Sequence, residues 1–273
     1  MRYLRHVSAL VLAFAGFSLG CDQKAKNAEG QAEAHADLAR EAFQHSDWRL
    51  ALDEAQQATY FDEANSRAHN IATASLLALC AGDEGQTSAD CRLDLAETHA
   101  RRALSLEPTD RNARNTLGSV LLLAGGKGLE ALEVLRPLTQ DPAYASGHLA
   151  WANFGWAQLQ LGDAGGSVAS LRRAVREPRF CVGWYRLGVA YDRWGKSPEA
   201  EESVTRALSD KAPECQNLQD AWKFRGELRA KSGKSAEARS DFDRCEKLSP
   251  MTASGHSCAA SRLQLAAPTG EHP

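Results

Sequence analysis

The chain has 273 residues, of which 43% are apolar and 25% charged, with a formal net charge of −3. Loss of residues 1–20 removes Arg2 and Arg5 and leaves −5. No basic face is visible at that balance, which excludes nucleic acid as a partner.

At the N-terminus Arg2, Arg5 and His6 precede an apolar run from Val7 to Leu19, and Gly20 stands directly before Cys21. This is the pattern of a secretory signal. The run is shorter than the roughly 18–20 apolar residues that span a bilayer, so it is expected to be cleaved rather than retained as a transmembrane helix. Ser18-Leu19-Gly20-Cys21 resembles the bacterial lipobox, with serine where leucine is usual. The resemblance implies a lipoprotein in which residues 1–20 are the signal and Cys21 becomes the diacylated first residue. Asp22 to Gln31 is polar and without periodicity, so residues 21–31 are expected to form a flexible tether. An Asp directly after the lipidated cysteine holds lipoproteins in the inner membrane of enteric bacteria. The expected location is the periplasmic side of the outer membrane, with the inner membrane as the alternative that Asp22 leaves open.

Five prolines then set a period. Pro108, Pro142, Pro178, Pro213 and Pro250 are spaced by 34, 36, 35 and 37 residues, with similar helical text before each. One such segment carries Trp184, Leu187, Gly188 and Tyr191 on a first helix, Gly195 in a turn, and Ala200, Val204 and Ala207 on a second. Trp151, Phe154, Gly155, Gly162, Leu171 and Ala174 repeat the order, as do Trp222, Gly226, Gly233, Ala238 and Phe242. Small residues fall where two helices cross closely, large ones fill the gaps between them, and neither helix can bury its stripe alone.

This pattern resembles the tetratricopeptide repeat (TPR). It implies an all-α, right-handed superhelical solenoid of six helix-turn-helix repeats over residues 32–65, 66–110, 111–147, 148–180, 181–218 and 219–250. The second repeat carries an insertion at 80–91. Residues 251–273 form a C-terminal cap and tail, with a short helix near Ala253 to Leu265.

Seven cysteines agree with export. If Cys21 carries lipid, six remain, and six allow 15 connectivities. Their places in the repeats narrow the choice. Cys80 and Cys91 bracket the insertion, Cys245 faces the segment of Cys258, and Cys181 and Cys215 are left as the third pair. Six free thiols are the alternative.

The sequence offers no catalytic or cofactor signature. Gly125-Gly126-Lys127-Gly128 lacks the spacing and preceding strand of a phosphate loop and reads as a helix-helix turn. His256 and Cys258 have no orienting third group. No CxxC pair or HExxH helix is present, and the histidines read as ordinary surface or core residues. No enzymatic activity, cofactor, metal or small-molecule substrate is expected.

In a TPR array the first helix of each repeat lines the concave face. That places Asn115, Ser119, Leu122 and Leu123, then Ala152, Trp156, Leu159 and Gln160, then Tyr185, Val189, Asp192 and Arg193 along a partner groove. The expected groove is apolar and aromatic, suited to an extended or helical peptide segment. The lysine and asparagine set that resembles a chaperone-tail clamp is not supplied.

A lipid-anchored array of six TPRs also resembles the type IV pilus pilotins of the PilF/PilW/Tgl-like kind. The resemblance rests on the start at Cys21, the repeat number, the length and the cysteine-bearing last repeats. It implies a monomer that binds a secretin and promotes its outer-membrane targeting and multimerisation. Two other readings remain open, a general periplasmic scaffold for another envelope complex and a non-catalytic accessory subunit of an enzyme complex.

Overall fold

A computed structural model describes residues 7–81 and 89–265 of the chain. Among the described residues the regular structure is entirely helical. In chain order the helices are α1 (Val7–Gln44), α2 (Trp48–Phe61), α3 (Ser66–Cys80), α4 (Leu93–Leu106), α5 (Arg111–Leu123), α6 (Gly128–Thr139) and α7 (Gly147–Gln160). They continue as α8 (Ala164–Ala174), α9 (Cys181–Arg193), α10 (Ser197–Ser209), α11 (Pro213–Gln216), α12 (Gln219–Lys231), α13 (Ser235–Leu248) and α14 (Ala253–Gln264). The chain forms two compact units, one built on α1 to α4 and one running from Arg114 within α5 onward.

In the first unit the packing is alanine on alanine. Ala36, Ala58 and Ala68 meet in one cluster, and Ala39, Ala55 and Ala72 in another against Leu52 and Ile71. Methyl side chains let the backbones approach closely at little cost in side-chain entropy. Asp47 starts α2 by accepting a hydrogen bond from the Leu50 amide at 3.2 Å, which satisfies one of the free amides of the first turn.

In the second unit larger residues fill the space. Val168, Leu171 and Leu187 pack with Trp151, Phe180 and Trp184, while Phe242 packs with Ala238, Trp222 and Leu265. Helix pairs cross at glycine. A Cβ on Gly188 would stand 3.0 Å from the Ala200 carbonyl, and one on Gly226 would stand 2.7 Å from the Phe242 ring.

Three disulfides add to this packing. Cys80–Cys91 joins the end of α3 to the segment before α4, Cys181–Cys215 joins the start of α9 to α11, and Cys245–Cys258 ties α13 to α14. Each contributes on the order of 2–4 kcal/mol.

One expectation is corrected. The stretch from Asp22 to Gln31 is not an irregular tether but part of the 38-residue helix α1, continuous with the alanine face that packs on α2. Lys24, Ala25, Lys26, Ala28 and Glu29 are strong helix formers, and no proline interrupts the chain before Gln44. Lack of an apolar stripe removes a packing face without removing helix propensity. Arg2 and Arg5, the side chain of Cys21, residues 82–88 of the insertion and the tail beyond Leu265 lie outside the described residues. Among the described residues no helix is long and apolar enough to cross a membrane.

Candidate partner-binding groove

The groove is assembled from α5, α7 and α9. Two tryptophans pack inside the hairpins that carry it. Arg173 of α8 lies over Trp151 at 4.4 Å from the ring centroid, and Arg206 of α10 lies over Trp184 at 4.9 Å. Each pair links the first helix of a hairpin to its second by cation–π attraction and by the arginine stem lying along the ring.

Two positions beyond each tryptophan stand Asn153 and Arg186, and these meet. The Asn153 amide nitrogen donates to Ser119 Oγ at 2.9 Å and to Asn115 Oδ1 at 3.3 Å, while its Oδ1 accepts from Arg186 Nη1 at 2.8 Å. One amide thus joins three helices. The Arg186 guanidinium lies 5.4 Å from the centroid of Trp156, and burial pulls it down to about 10. Beside it Tyr185 stands edge-on to Phe224 at 6.2 Å. Burial, reinforced by the Asp220 and Glu227 carboxylates, pushes its phenol up to about 12. At the other end Gln160 donates to the Leu122 carbonyl at 3.1 Å.

The sequence-predicted groove residues divide by burial. Trp156, Ser119, Leu159, Tyr185, Val189 and Asp192 are half-buried, and Leu123 and Arg193 are exposed. Asn115 is buried but belongs to the amide chain just described. Ala152 and Leu122 do not reach the groove. Ala152 is 1% exposed and packs with Leu171 and Leu187, and Leu122 is 6% exposed. A methyl at the helix-facing edge is where the neighbouring helix fits, so the stack consumes it. The strip is therefore more polar than the sequence suggests, with half-buried Ser119 and Arg186 beside Trp156 and the buried Asn115 and Asn153 beneath them.

Asn153 and Arg186 are not among the residues expected from the sequence. Their shared offset from Trp151 and Trp184 is the signal that identifies them. Among the described residues no group of three or more histidine, cysteine or carboxylate side chains is placed to hold a metal ion. Cys258, paired in the sequence with His256, is bonded to Cys245. A separate cleft of about 420 Å³ opens between α8, α9 and α10, lined by Arg172, Arg176, Trp184, Tyr191, Glu199 and Arg206.

Helix pairs of this length, crossing at glycine and turning through positive-φ residues, define the tetratricopeptide-repeat fold. No family model matches the sequence, and no curated protein matches it. Solved structures do. PilW, a widely conserved type IV pilus biogenesis factor, superposes with a TM-score of 0.65 at 19% identity over 84% of this chain and 98% of its own. The Pseudomonas aeruginosa protein pilF gives 0.60 at 16% over 86% and 99%. A tetratricopeptide repeat protein of Parabacteroides merdae gives 0.66 at 12% over 86% and 84%. At such identities the likeness establishes the fold alone.

Proposed function

We propose that this protein is an exported lipoprotein, anchored through Cys21 after removal of residues 1–20, that acts as a non-catalytic scaffold for assembly of a type IV pilus secretin at the outer membrane. The observation that carries the reading is the strip formed by Ser119, Trp156 and Arg186 on adjacent first helices, held in place by the buried amides of Asn115 and Asn153. Such a strip suits a peptide segment anchored by a few side chains. Support for the pilus comes from the fold shared with PilW and pilF over nearly the whole of those chains. Three disulfides agree with an oxidising compartment.

In this reading the acyl chains hold the six repeats, residues 32–250, at the membrane surface. The groove captures a secretin segment that is exposed before the ring closes. Tethering raises the local concentration of captured subunits, so multimerisation proceeds without a chemical step.

The test is a blot for heat-resistant secretin multimers in membranes of a deletion strain, its complemented parent and a strain carrying Cys21→Gly. Multimers lost with the gene, restored by the parent sequence and not by the Cys21 variant, are expected. Normal multimers in the deletion strain overturn the secretin assignment, and normal multimers with Cys21→Gly overturn the anchored mechanism.

A further inference from the structure

Arg186 stands out in the groove because its charge is not balanced. It donates one hydrogen bond, to the Asn153 carbonyl oxygen, and rests on the face of Trp156. Among the described residues no carboxylate lies within ion-pair distance of it. The contrast with the last hairpin is sharp. There the desolvated Arg225 and Arg229 converge on Asp241, and Arg229 also meets Glu201 beside the exposed Lys234, so each buried cation faces an anion.

A partly desolvated guanidinium with a neutral amide and an indole for company is unfavourable in the isolated protein. A guanidinium has five N–H donors, and only one is used here. Asn153 cannot add charge, and its own amide nitrogen is already committed to Asn115 and Ser119. The same network that leaves the cation unsatisfied also holds it in place, which lowers the entropic cost of using it.

We infer that Arg186 is the anchor for a single carboxylate, an aspartate or glutamate side chain carried next to apolar residues on the bound protein segment. A monoanion fits better than a phosphate, because the neighbouring groups are an amide, a hydroxyl and an indole and supply no second cation. The flanking apolar residues would lie on Trp156 and Leu159, both half-buried in the same strip. The inference rests on the reading of this face as the partner groove and adds the chemistry of what it takes. Desolvation, which pulls Arg186 down to about 10, also strengthens any ion pair formed there.

The experiment uses the full mature chain with its disulfides intact and twelve-residue peptides selected from a random display library. Binders are expected to carry Asp or Glu beside an apolar residue, and to weaken at least tenfold when that residue becomes Asn or Gln, the size of a lost charge-assisted hydrogen bond. With Arg186→Met the two forms of each peptide should bind equally weakly, whereas Arg176→Gln in the separate cleft should change nothing. Arg186→Met takes out an unpaired cation but also leaves the buried Asn153 Oδ1 without its donor, so a modest fall in melting temperature is expected and the paired-peptide comparison is the readout that a merely structural arginine would not move.

Binders that ignore Arg186→Met but are lost with Trp156→Ala would uphold the groove and overturn the carboxylate anchor. A library that yields no binder sensitive to Trp156→Ala overturns both.

Discussion

Arg225 holds Asp241 through two parallel hydrogen bonds, Nε to Oδ2 at 2.9 Å and Nη2 to Oδ1 at 2.7 Å, and Asp241 is only 2% exposed. Arg229 adds a third at 2.8 Å, and its Nε reaches Glu201 at 3.1 Å, where Lys234 closes the chain at 2.7 Å. Burial raises the Glu201 carboxyl, but hydrogen bonds from Lys234 and Arg229 outweigh it and hold the group below its ordinary value. The network ties α12 both to its own second helix, α13, and back to α10.

Breaking this network from the acid side should be costly. Asp241→Asn leaves two guanidiniums against a neutral amide, and removal of one partner of a buried pair costs roughly 3–5 kcal/mol. Arg225→Met added to Asp241→Asn should recover part of that loss, because the stranded charge is gone. Urea unfolding followed by circular dichroism measures both. A single variant within about 1 kcal/mol of the parent would mean that water already screens the site.

A second buried contact sets a pH response in the first unit. His69 Nε2 lies 3.2 Å from the Glu63 carbonyl and donates to it, so its Nδ1 accepts the proton on His99 Nδ1, 2.8 Å away. Both rings are neutral in that arrangement. Burial, and then the facing His69 ring, push His99 down to about 4; burial is also the main cause of the lowering at His69, with Arg102 adding to it. The unfolded chain, with ordinary histidines near 6.5, takes up protons that the folded chain refuses. Stability is therefore complete above about pH 6.5 and falls as the pH drops toward 4, by roughly 3 kcal/mol for His99 at the end of that window. Urea midpoints at pH 7.5 and 5 should separate for the parent and draw together for His99→Gln, and parallel shifts in the two proteins would remove the histidine pair as the cause.

The turns give a prediction of opposite sign. Gly125, Gly162, Gly195 and Gly233 adopt φ of 72°, 85°, 76° and 77° in the turns between paired helices, and the turn between α1 and α2 uses Ser46 at 63° instead. A residue with a Cβ is strained there by roughly 1 kcal/mol. Ser46→Gly should raise the melting temperature and Gly195→Ala should lower it. A Ser46→Gly protein that melts lower than the parent would show that the serine side chain contributes more than its backbone costs.

What the sequence made legible was the repeating part. Prolines near a 35-residue period, glycine at the crossings and alanine on the second helices all state one helix-pair geometry, so the fold class could be read without coordinates. Pairwise chemistry between helices was less visible. Asp241 lies 16 residues from Arg225, and His69 lies 30 from His99. No local pattern marks such partners, because the register of one helix on another decides them. The same register decides Ala152, a small residue at a groove-facing spacing that the adjoining helix takes up. The helical continuation through Asp22 to Gln31 carries no apolar stripe to mark it, although Ala, Lys and Glu favour helix with or without a face to bury.

The end of the array supplies the last prediction. α14 packs in the cluster of Phe242, which is 2% exposed, and is bound at three levels. Near its start Thr252 donates to Gln219 Oε1 at 2.8 Å and Ser254 to Asp220 at 2.6 Å, while the Gln219 amide donates to the Cys245 and Ser249 carbonyls, each at 2.9 Å. The Cys245–Cys258 disulfide holds the middle of the helix, and Arg262 to Glu246 at 2.8 Å with Arg239 to the Leu265 carbonyl at 2.6 Å hold its end. Replacement of both cysteines by serine removes the cross-link and leaves the hydrogen bonds at both ends, so α14 should stay docked but loosen around position 258. The cost should be about 2–4 kcal/mol, concentrated at this end because repeats contact only their neighbours. Amide hydrogen exchange should therefore speed up in α14 and around Phe242 while α9 keeps its protection. A uniform loss of protection across both helices would mean that the last hairpin and the middle of the second unit unfold as one, and that the disulfide stabilises the whole unit rather than its cap.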